Sequence, residues 1–168
     1  MKKVLIVIDM QKDFVDGALA NREAQAIVGD IASLVENFDG EVIATRDTHE
    51  KNYLSTTEGK HLPIPHCIKN TNGWQIVDEI ATALQKKNAV ILDKPTFGFL
   101  GWECLHGANE IVMVGTCTDI CVVSNALIIK ALHPDIPLFV RGNLCAGTTK
   151  ENHKAALDVM SCCQIQII

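Results

Sequence analysis

Residues Val112–Val123, VMVGTCTDICVV, decide how this chain is read. The run Ile111-Val112-Met113-Val114 is apolar and β-type, the pattern of a strand buried on both faces. It stops at Gly115. Thr116, Cys117, Thr118 and Asp119 follow, and then a second apolar segment, Ile120 to Leu132, with helical spacing. A buried strand therefore feeds a tight turn, and the turn opens a buried helix. Thr118 is the expected N-cap, with Asp119 in the first turn, where an acid meets the positive end of the helix dipole. Cys121 then falls near the third helical position, where the same dipole favours a thiolate. Taken alone, Cys121 also fits a small buried apolar residue.

Outward from that stretch, composition sets the class. The chain has 168 residues, enough for one domain with a substantial core. A hydrophobic share of 48% with 21% charged residues is ordinary for a globular protein. The formal charge of −5 argues against a nucleic-acid partner. No apolar run reaches the length of about 18 residues needed to span a membrane. The opening MKKVLIVIDM has two lysines but only a short apolar run, broken by Asp9, so it reads as a first strand of a cytoplasmic protein. Seven cysteines, an odd number at irregular spacings, read as free thiols rather than a disulfide framework. No C-x-x-C occurs, and Cys117 and Cys121 form a C-x-x-x-C, a weak redox signal.

Upstream, Val4–Ile8 is a second continuous apolar run, ending in Asp9. After a loop holding Asp13-Phe14, an amphipathic helix is expected from Asn21 or Arg22 to Asn37, with Ile27, Ile31, Leu34 and Val35 on one face. Glu41–Thr45 is a short strand. From Arg46 to Gly73 periodicity is lost, and this long loop carries three of the six histidines: His49, His61 and His66. A helix over Trp74–Gln85, a strand over Ala89–Leu92, a loop at Pro95–Phe99 and a short helix at Gly101–His106 lead to the Glu110–Val114 strand. Downstream, the central helix runs from Thr118 to about His133 and a strand covers Ile136–Val140. Thr149 caps a helix over Glu151–Ser161, and Gln164–Ile168 closes the chain as a sixth strand. The alternation implies an α/β fold: a single-domain, three-layer α/β/α arrangement around a mostly parallel six-stranded sheet. Apolar positions on the Thr118–His133 helix fit either core packing or a homo-oligomer contact.

In such a sheet, ligands bind outside the carboxyl ends of the strands. Asp9, Asp47, Lys94 and the Thr116–Cys121 turn all fall there, so polar groups from four strands converge on one edge. A cysteine nucleophile needs a base, and Asp9 is the candidate; Lys94 is placed to pair with both and lower the pKa of each. Acyl transfer also needs donors for a developing oxyanion, and the backbone N–H groups of Cys117 and Cys121 are candidates. In the long loop, Asp47-x-His49 places two ligand types on one side of an extended segment, with Glu58 and His66 further on. Two imidazoles and two carboxylates suit Zn²⁺, Fe²⁺ or Mn²⁺, with His61 left outside the set.

Together these residues resemble the isochorismatase-like cysteine hydrolase superfamily, and within it the nicotinamidase/pyrazinamidase group, along the full chain. VLIVIDMQKDFVDGALA resembles the strand-one motif with its catalytic aspartate, here Asp9. ILDKPTFGF resembles the segment with the catalytic lysine, here Lys94, and GTCTDICV resembles the nucleophile motif, here Cys121. The resemblance implies a cis peptide at Thr116–Cys117. TRDTHE followed by LPIPHC resembles the nicotinamidase metal loop, implying Asp47, His49 and His66 as ligands and Glu58 as a further one. The activity implied is hydrolysis of nicotinamide, or another small amide, ureide or carbamoyl compound, through a thioester, with a bound divalent metal, zinc first. Phe14, Phe97 and Phe99 are the aromatic residues expected against the substrate. Two departures fall on the pocket wall: Thr48 and Glu50 stand in the group's W-H-P, and Pro63 stands where a tryptophan is usual. A thiol redox protein using Cys117 and Cys121, or a metal- or ligand-binding protein with an inactive catalytic set, are the readings from other classes.

Overall fold

The computed structural model describes residues 2–168. Among these, the strands are β1 (Lys3–Ile8), β2 (Glu41–Asp47), β3 (Val90–Lys94), β4 (Glu110–Thr116), β5 (Leu138–Ala146) and β6 (Gln166–Ile167). They form one parallel sheet in the order β3-β2-β1-β4-β5-β6. The strands with the longest unbroken apolar runs are the innermost, because both of their faces are covered. Val4–Ile8 of β1 are at most 1% exposed. The helices are α1 (Lys12–Val15), α2 (Arg22–Ala26), α3 (Val28–Asn37), α4 (Thr57–His61), α5 (Asp78–Lys86), α6 (Val123–Leu132) and α7 (Lys150–Cys162).

Alternation along each strand splits the core into two layers. Leu5, Val7, Val42, Val112 and Val114 point to one face, under Ile31 and Val35 of α3 and Ile80 and Leu84 of α5. Val4, Ile6, Ile8, Ile111 and Met113 point to the other, under Ile129 of α6, Met160 of α7 and the Trp102–Leu105 turn. The fold is therefore three-layered α/β/α. All seven cysteines are free thiols. Among the described residues, no helix is long and apolar enough to cross a membrane.

Several boundaries differ from the sequence reading, each for a local reason. The helix expected over 21–37 is two, α2 and α3, joined at Ile27. Asn21 caps the first, its side chain accepting from the N–H groups of Glu23 and Ala24. The helix expected from Trp74 begins at Asp78. Ile76 instead bridges to Gln11, and the Val77 N–H donates to the Met10 carbonyl (3.0 Å), so long-range pairing holds this segment extended. The long loop is not featureless: it contains a 3-10 turn, Tyr53–Ser55, and α4, capped by Thr56, whose Oγ1 accepts from the Gly59 N–H (3.0 Å) and donates to the Tyr53 carbonyl (2.7 Å). β5 does not stop at Val140. A register shift opposite Met113 and Gly115 carries its pairing on to Ala146.

Candidate active site

The strand order reverses between β1 and β4, and in a doubly wound sheet that switch point opens a crevice at the strand C-termini. Asp9 leaves β1 there. Gly115 sits opposite Ile8 in the register with φ +123°, and a Cβ at that position would lie 2.1 Å from the Ile8 carbonyl oxygen. Only glycine lets the two strand ends close up at this point. The Thr116–Cys117 peptide is cis.

The turn after β4 differs from the expected cap. Thr118–Val122 is a π-helical turn, with the Val122 N–H donating to the Cys117 carbonyl (3.0 Å). Thr118 lies inside it and caps nothing; its hydroxyl instead pairs with His153 Nδ1 (2.8 Å). Asp119 does sit in the first turn, but its carboxylate is taken up by the backbone N–H and hydroxyl of Thr148. The turn that carries Cys121 is thus tied to the start of α7.

Lys94, at the end of β3, is the centre of the site. Its Nζ lies 2.7 Å from Asp9 Oδ2, 3.3 Å from Asp47 Oδ1 and 3.4 Å from Cys121 Sγ, and donates to the Thr96 carbonyl (3.0 Å). Lys94 and Asp9 are fully buried and Cys121 is 4% exposed. Thr45 completes the frame: it accepts from the Asp9 N–H (3.2 Å) and donates to Asp9 Oδ1 (2.6 Å).

The charges at this centre differ from the sequence expectation. Burial pulls the Lys94 pKa down, but Asp9, Cys121 and Asp47 outweigh it, so the ammonium is held well above its ordinary range. Burial also raises Asp9, and Lys94 only partly offsets that. Burial and the Asp9 carboxylate push the Cys121 thiol up, again against Lys94. Neither Asp9 nor Cys121 is therefore lowered. Desolvation outweighs the cation, which favours the neutral Cys121 thiol beside an Asp9 carboxyl made more basic by burial.

Beside this centre, Asp47, His49, Glu58 and His66 offer ligand atoms that all lie within 4.8 Å of one another. Three of the four are buried. His66 uses Nδ1 on the Ile64 carbonyl (2.9 Å), which leaves Nε2 facing the group. His49 Nε2 lies 2.9 Å from Asp47 Oδ2 and 3.5 Å from Glu58 Oε1, yet it is a buried atom without an aligned hydrogen bond. A buried nitrogen left in this way, among two carboxylates and a second imidazole, is the donor set of a divalent metal. Burial raises the pKa of Asp47, but the close His49 ring and the charge of Lys94 outweigh it, so the Asp47 carboxyl is held below its ordinary range. His61 lies outside the group, with its Nδ1 on the Thr57 carbonyl.

A cavity of about 1070 Å³ joins the two constellations, lined by Asp47, His49, Glu58 and His66 together with Cys117 and Cys121. Phe14 and Phe97 line it too. Phe14 sits 5.6 Å from the His66 ring, centroid to centroid. Phe99, expected against substrate, does not line it; its ring is partly buried and packs edge-on against Trp102 at 5.2 Å, on the core of the α6 face.

Several supporting residues were not singled out from sequence. Gln11, fully buried, brackets Asp47: its Oε1 accepts from the Asp47 N–H (2.7 Å) and its Nε2 donates to the Asp47 carbonyl (2.8 Å). Asp13 accepts from the Cys67 N–H (2.7 Å) and so fixes the residue after His66. The Trp74 indole donates to Thr48 Oγ1 (2.8 Å), and Arg46 stacks 3.6 Å over that ring. Polar residues in apolar company, such as Gln11 after Met10 and Thr45 within Val42–Thr45, were the available signal.

An α/β switch-point crevice with a buried thiol, carboxylate and ammonium defines a cysteine-hydrolase type of site. The comparisons agree. The isochorismatase domain model matches residues 3–168, and the chain belongs to the isochorismatase family. It is a hydrolase whose similar proteins include nicotinamidases and pyrazinamidases. An isochorismatase family protein of Bacillus subtilis is 30% identical over 174 residues, covering 94% of this chain and 93% of that one. The structure of the pyrazinamidase/nicotinamidase of Streptococcus mutans superposes with a TM-score of 0.88 at 30% identity, covering 99% of this chain and all of the other. A pyrazinamidase of Pyrococcus horikoshii in complex with zinc has a TM-score of 0.84 at 29% identity, covering 100% and 99%.

Proposed function

We propose that this protein is a nicotinamidase: it converts nicotinamide and water to nicotinate and ammonia through a thioester on Cys121. Acting as a single domain in the cytoplasm, it returns the product toward NAD. The observation that carries the reading is the position of Lys94, 2.7 Å from Asp9 and 3.4 Å from Cys121, with Cys121 lining the same cavity as the metal-type group.

Asp9 takes the thiol proton of Cys121, and the thiolate attacks the amide carbonyl. The backbone N–H groups of Cys117 and Cys121 receive the oxyanion. Asp9 then returns its proton to the departing ammonia, and next draws a proton from the water that hydrolyses the thioester. Lys94 stays cationic throughout and stabilises whichever of its two neighbours carries the negative charge. Phe14 and Phe97 hold the ring. Asp47, His49, Glu58 and His66 would hold the divalent metal, zinc in the first instance, which supplies a Lewis-acid point for the pyridine nitrogen.

The large cavity favours a second reading, a bulkier aromatic carboxamide in place of nicotinamide. The test is ammonia release from nicotinamide and from a panel of larger carboxamides, with Cys121→Ala as control and again after chelation. Release from nicotinamide that vanishes in Cys121→Ala and falls on chelation is expected. Near-normal release by Cys121→Ala would sink the mechanism, and preference for a larger amide would replace the substrate.

A further inference from the structure

Asn125 lies one helical turn beyond Cys121, on α6, and is fully buried. A buried primary amide has two donors and two acceptor positions to satisfy, and here all four are used. Nδ2 donates to the Cys121 carbonyl (2.7 Å) and to the Phe97 carbonyl (3.0 Å). Oδ1 accepts from the Phe99 N–H (2.8 Å) and from the Trp102 indole (2.9 Å). One side chain therefore joins the backbone of the nucleophile to the loop that carries Phe97 into the cavity and turns Phe99 away from it. Another polar anchor of the loop is the Thr96 carbonyl on Lys94 Nζ, and Thr96 in turn donates to the Gly98 carbonyl (2.8 Å).

We propose that Asn125 is a positioning residue with two separable tasks. Its bond to the Cys121 carbonyl fixes the π-helical turn and hence where the thiol points. Its bonds to Phe97, Phe99 and Trp102 fix the aromatic wall against which the substrate ring lies. The proposal rests on Cys121 being the nucleophile. It reaches further, in assigning kcat to one hydrogen bond of Asn125 and KM to the other three. Nothing in the sequence marked this residue except a polar side chain inside the apolar helix Ile120–Leu132.

The two tasks can be parted because a helical threonine donates its hydroxyl to the carbonyl four residues back, which is Cys121 here. Asn125→Thr keeps that bond and drops the loop, whereas Asn125→Ala drops both. The measurements are kcat and KM for ammonia release from nicotinamide, and the rate at which iodoacetamide alkylates Cys121, read by mass spectrometry. Asn125→Ala should lower kcat by about tenfold or more, since small misplacements of a nucleophile are that costly. It should also change the alkylation rate by about threefold or more. Asn125→Thr should hold both within about twofold of the parent while KM rises by about fivefold. Equal loss of kcat in the two variants, or an Asn125→Ala protein with the parent's kcat and alkylation rate, overturns the assignment. Should Asn125→Ala fail to fold, Asn125→Thr alone decides, because a lost kcat there refutes it. A parent protein that releases no ammonia refutes the proposed reaction, and alkylation of Cys121 still tests Asn125.

Discussion

Replacing Lys94 by Met keeps a side chain of similar length and removes the charge. The ammonium stands 2.7 Å from Asp9 Oδ2 and 3.3 Å from Asp47 Oδ1, and all three residues are at most 2% exposed. Water cannot take its place, so Asp9 is left as a buried carboxylate held only by Thr45. Deleting one member of such a buried pair costs about 3–5 kcal/mol. With an unfolding entropy of about 2.1 cal/mol/K per residue, the chain should lose about 9–14 °C in Tm. The loss must depend on pH, and its sign is set by Asp9. Its folded pKa is already above the ordinary 3.8 because of burial, and it rises further without Lys94. The folded state then binds the proton more tightly than the unfolded state, so stability falls as pH climbs through the window between those two values. The variant's deficit should thus be larger at pH 7.5 and shrink as the pH is lowered through the raised Asp9 value toward that of an ordinary carboxylate. Calorimetry on both chelated proteins at several pH values measures this without a contribution from metal loading. A deficit of less than about 3 °C at pH 7.5, or one that is the same at acid and neutral pH, would refute the reasoning.

Two further outcomes follow from the same geometry. Gly115→Ala should destabilise by at least about 3 kcal/mol in a denaturant titration, because the new Cβ meets the Ile8 carbonyl at 2.1 Å and φ is +123°; a change within 1 kcal/mol, roughly the usual effect of a surface substitution, would contradict the strand closure described. The acid limb of kcat/KM, followed with metal in excess, should have its midpoint above an ordinary aspartate's value, since in the proposed mechanism Asp9 is ionised when it accepts the thiol proton and burial raises its pKa. A midpoint at or below an ordinary aspartate's value would assign the base elsewhere.

Much of this architecture could be read from strand ends. Val4–Ile8 and Ile111–Val114 are apolar without interruption, so they had to be central, and the polar residues that follow them had to meet at one edge. The four metal-type residues were legible from spacing and resemblance, and the fold of the intervening loop was not. Tyr53–Ser55 and α4 are short and held by contacts local to the loop, such as Thr56 on Gly59, which leave no periodic signature. Trp74–Val77 read as helix because its apolar spacing is helical, but pairing with Met10 and Gln11 overrode propensity. Thr118 read as a cap because its chemistry suits one. His153, thirty-five residues on, claims its hydroxyl, and no local pattern could announce that. Phe99 is the same kind of case: its neighbours in sequence suggested a pocket wall, and Asn125 decides otherwise.

The charge logic was the least legible part, and it changes what Lys94 does. Lys94 belongs to β3, and its register partner is Asp47 on β2. Asp9 and Cys121 belong to β1 and the turn after β4, so the ammonium must cross the end of β2 to reach them. Strands stand about 4.8 Å apart, and a long, unbranched cation at the last position of β3 can make that reach. In crossing, it passes Asp47, whose two oxygens are thereby divided. Oδ1 lies 3.3 Å from Lys94 Nζ, while Oδ2 lies 2.9 Å from His49 Nε2 and 3.7 Å from His66 Nε2. One carboxylate is thus shared between the cation that serves the thiol and the group built to hold a metal. Charge placed on either side of Asp47 weakens its hold on the other. A metal held by Asp47 would draw on its negative charge and leave Lys94 a weaker counter-ion there, with Asp9 the remaining carboxylate paired to the ammonium beside Cys121.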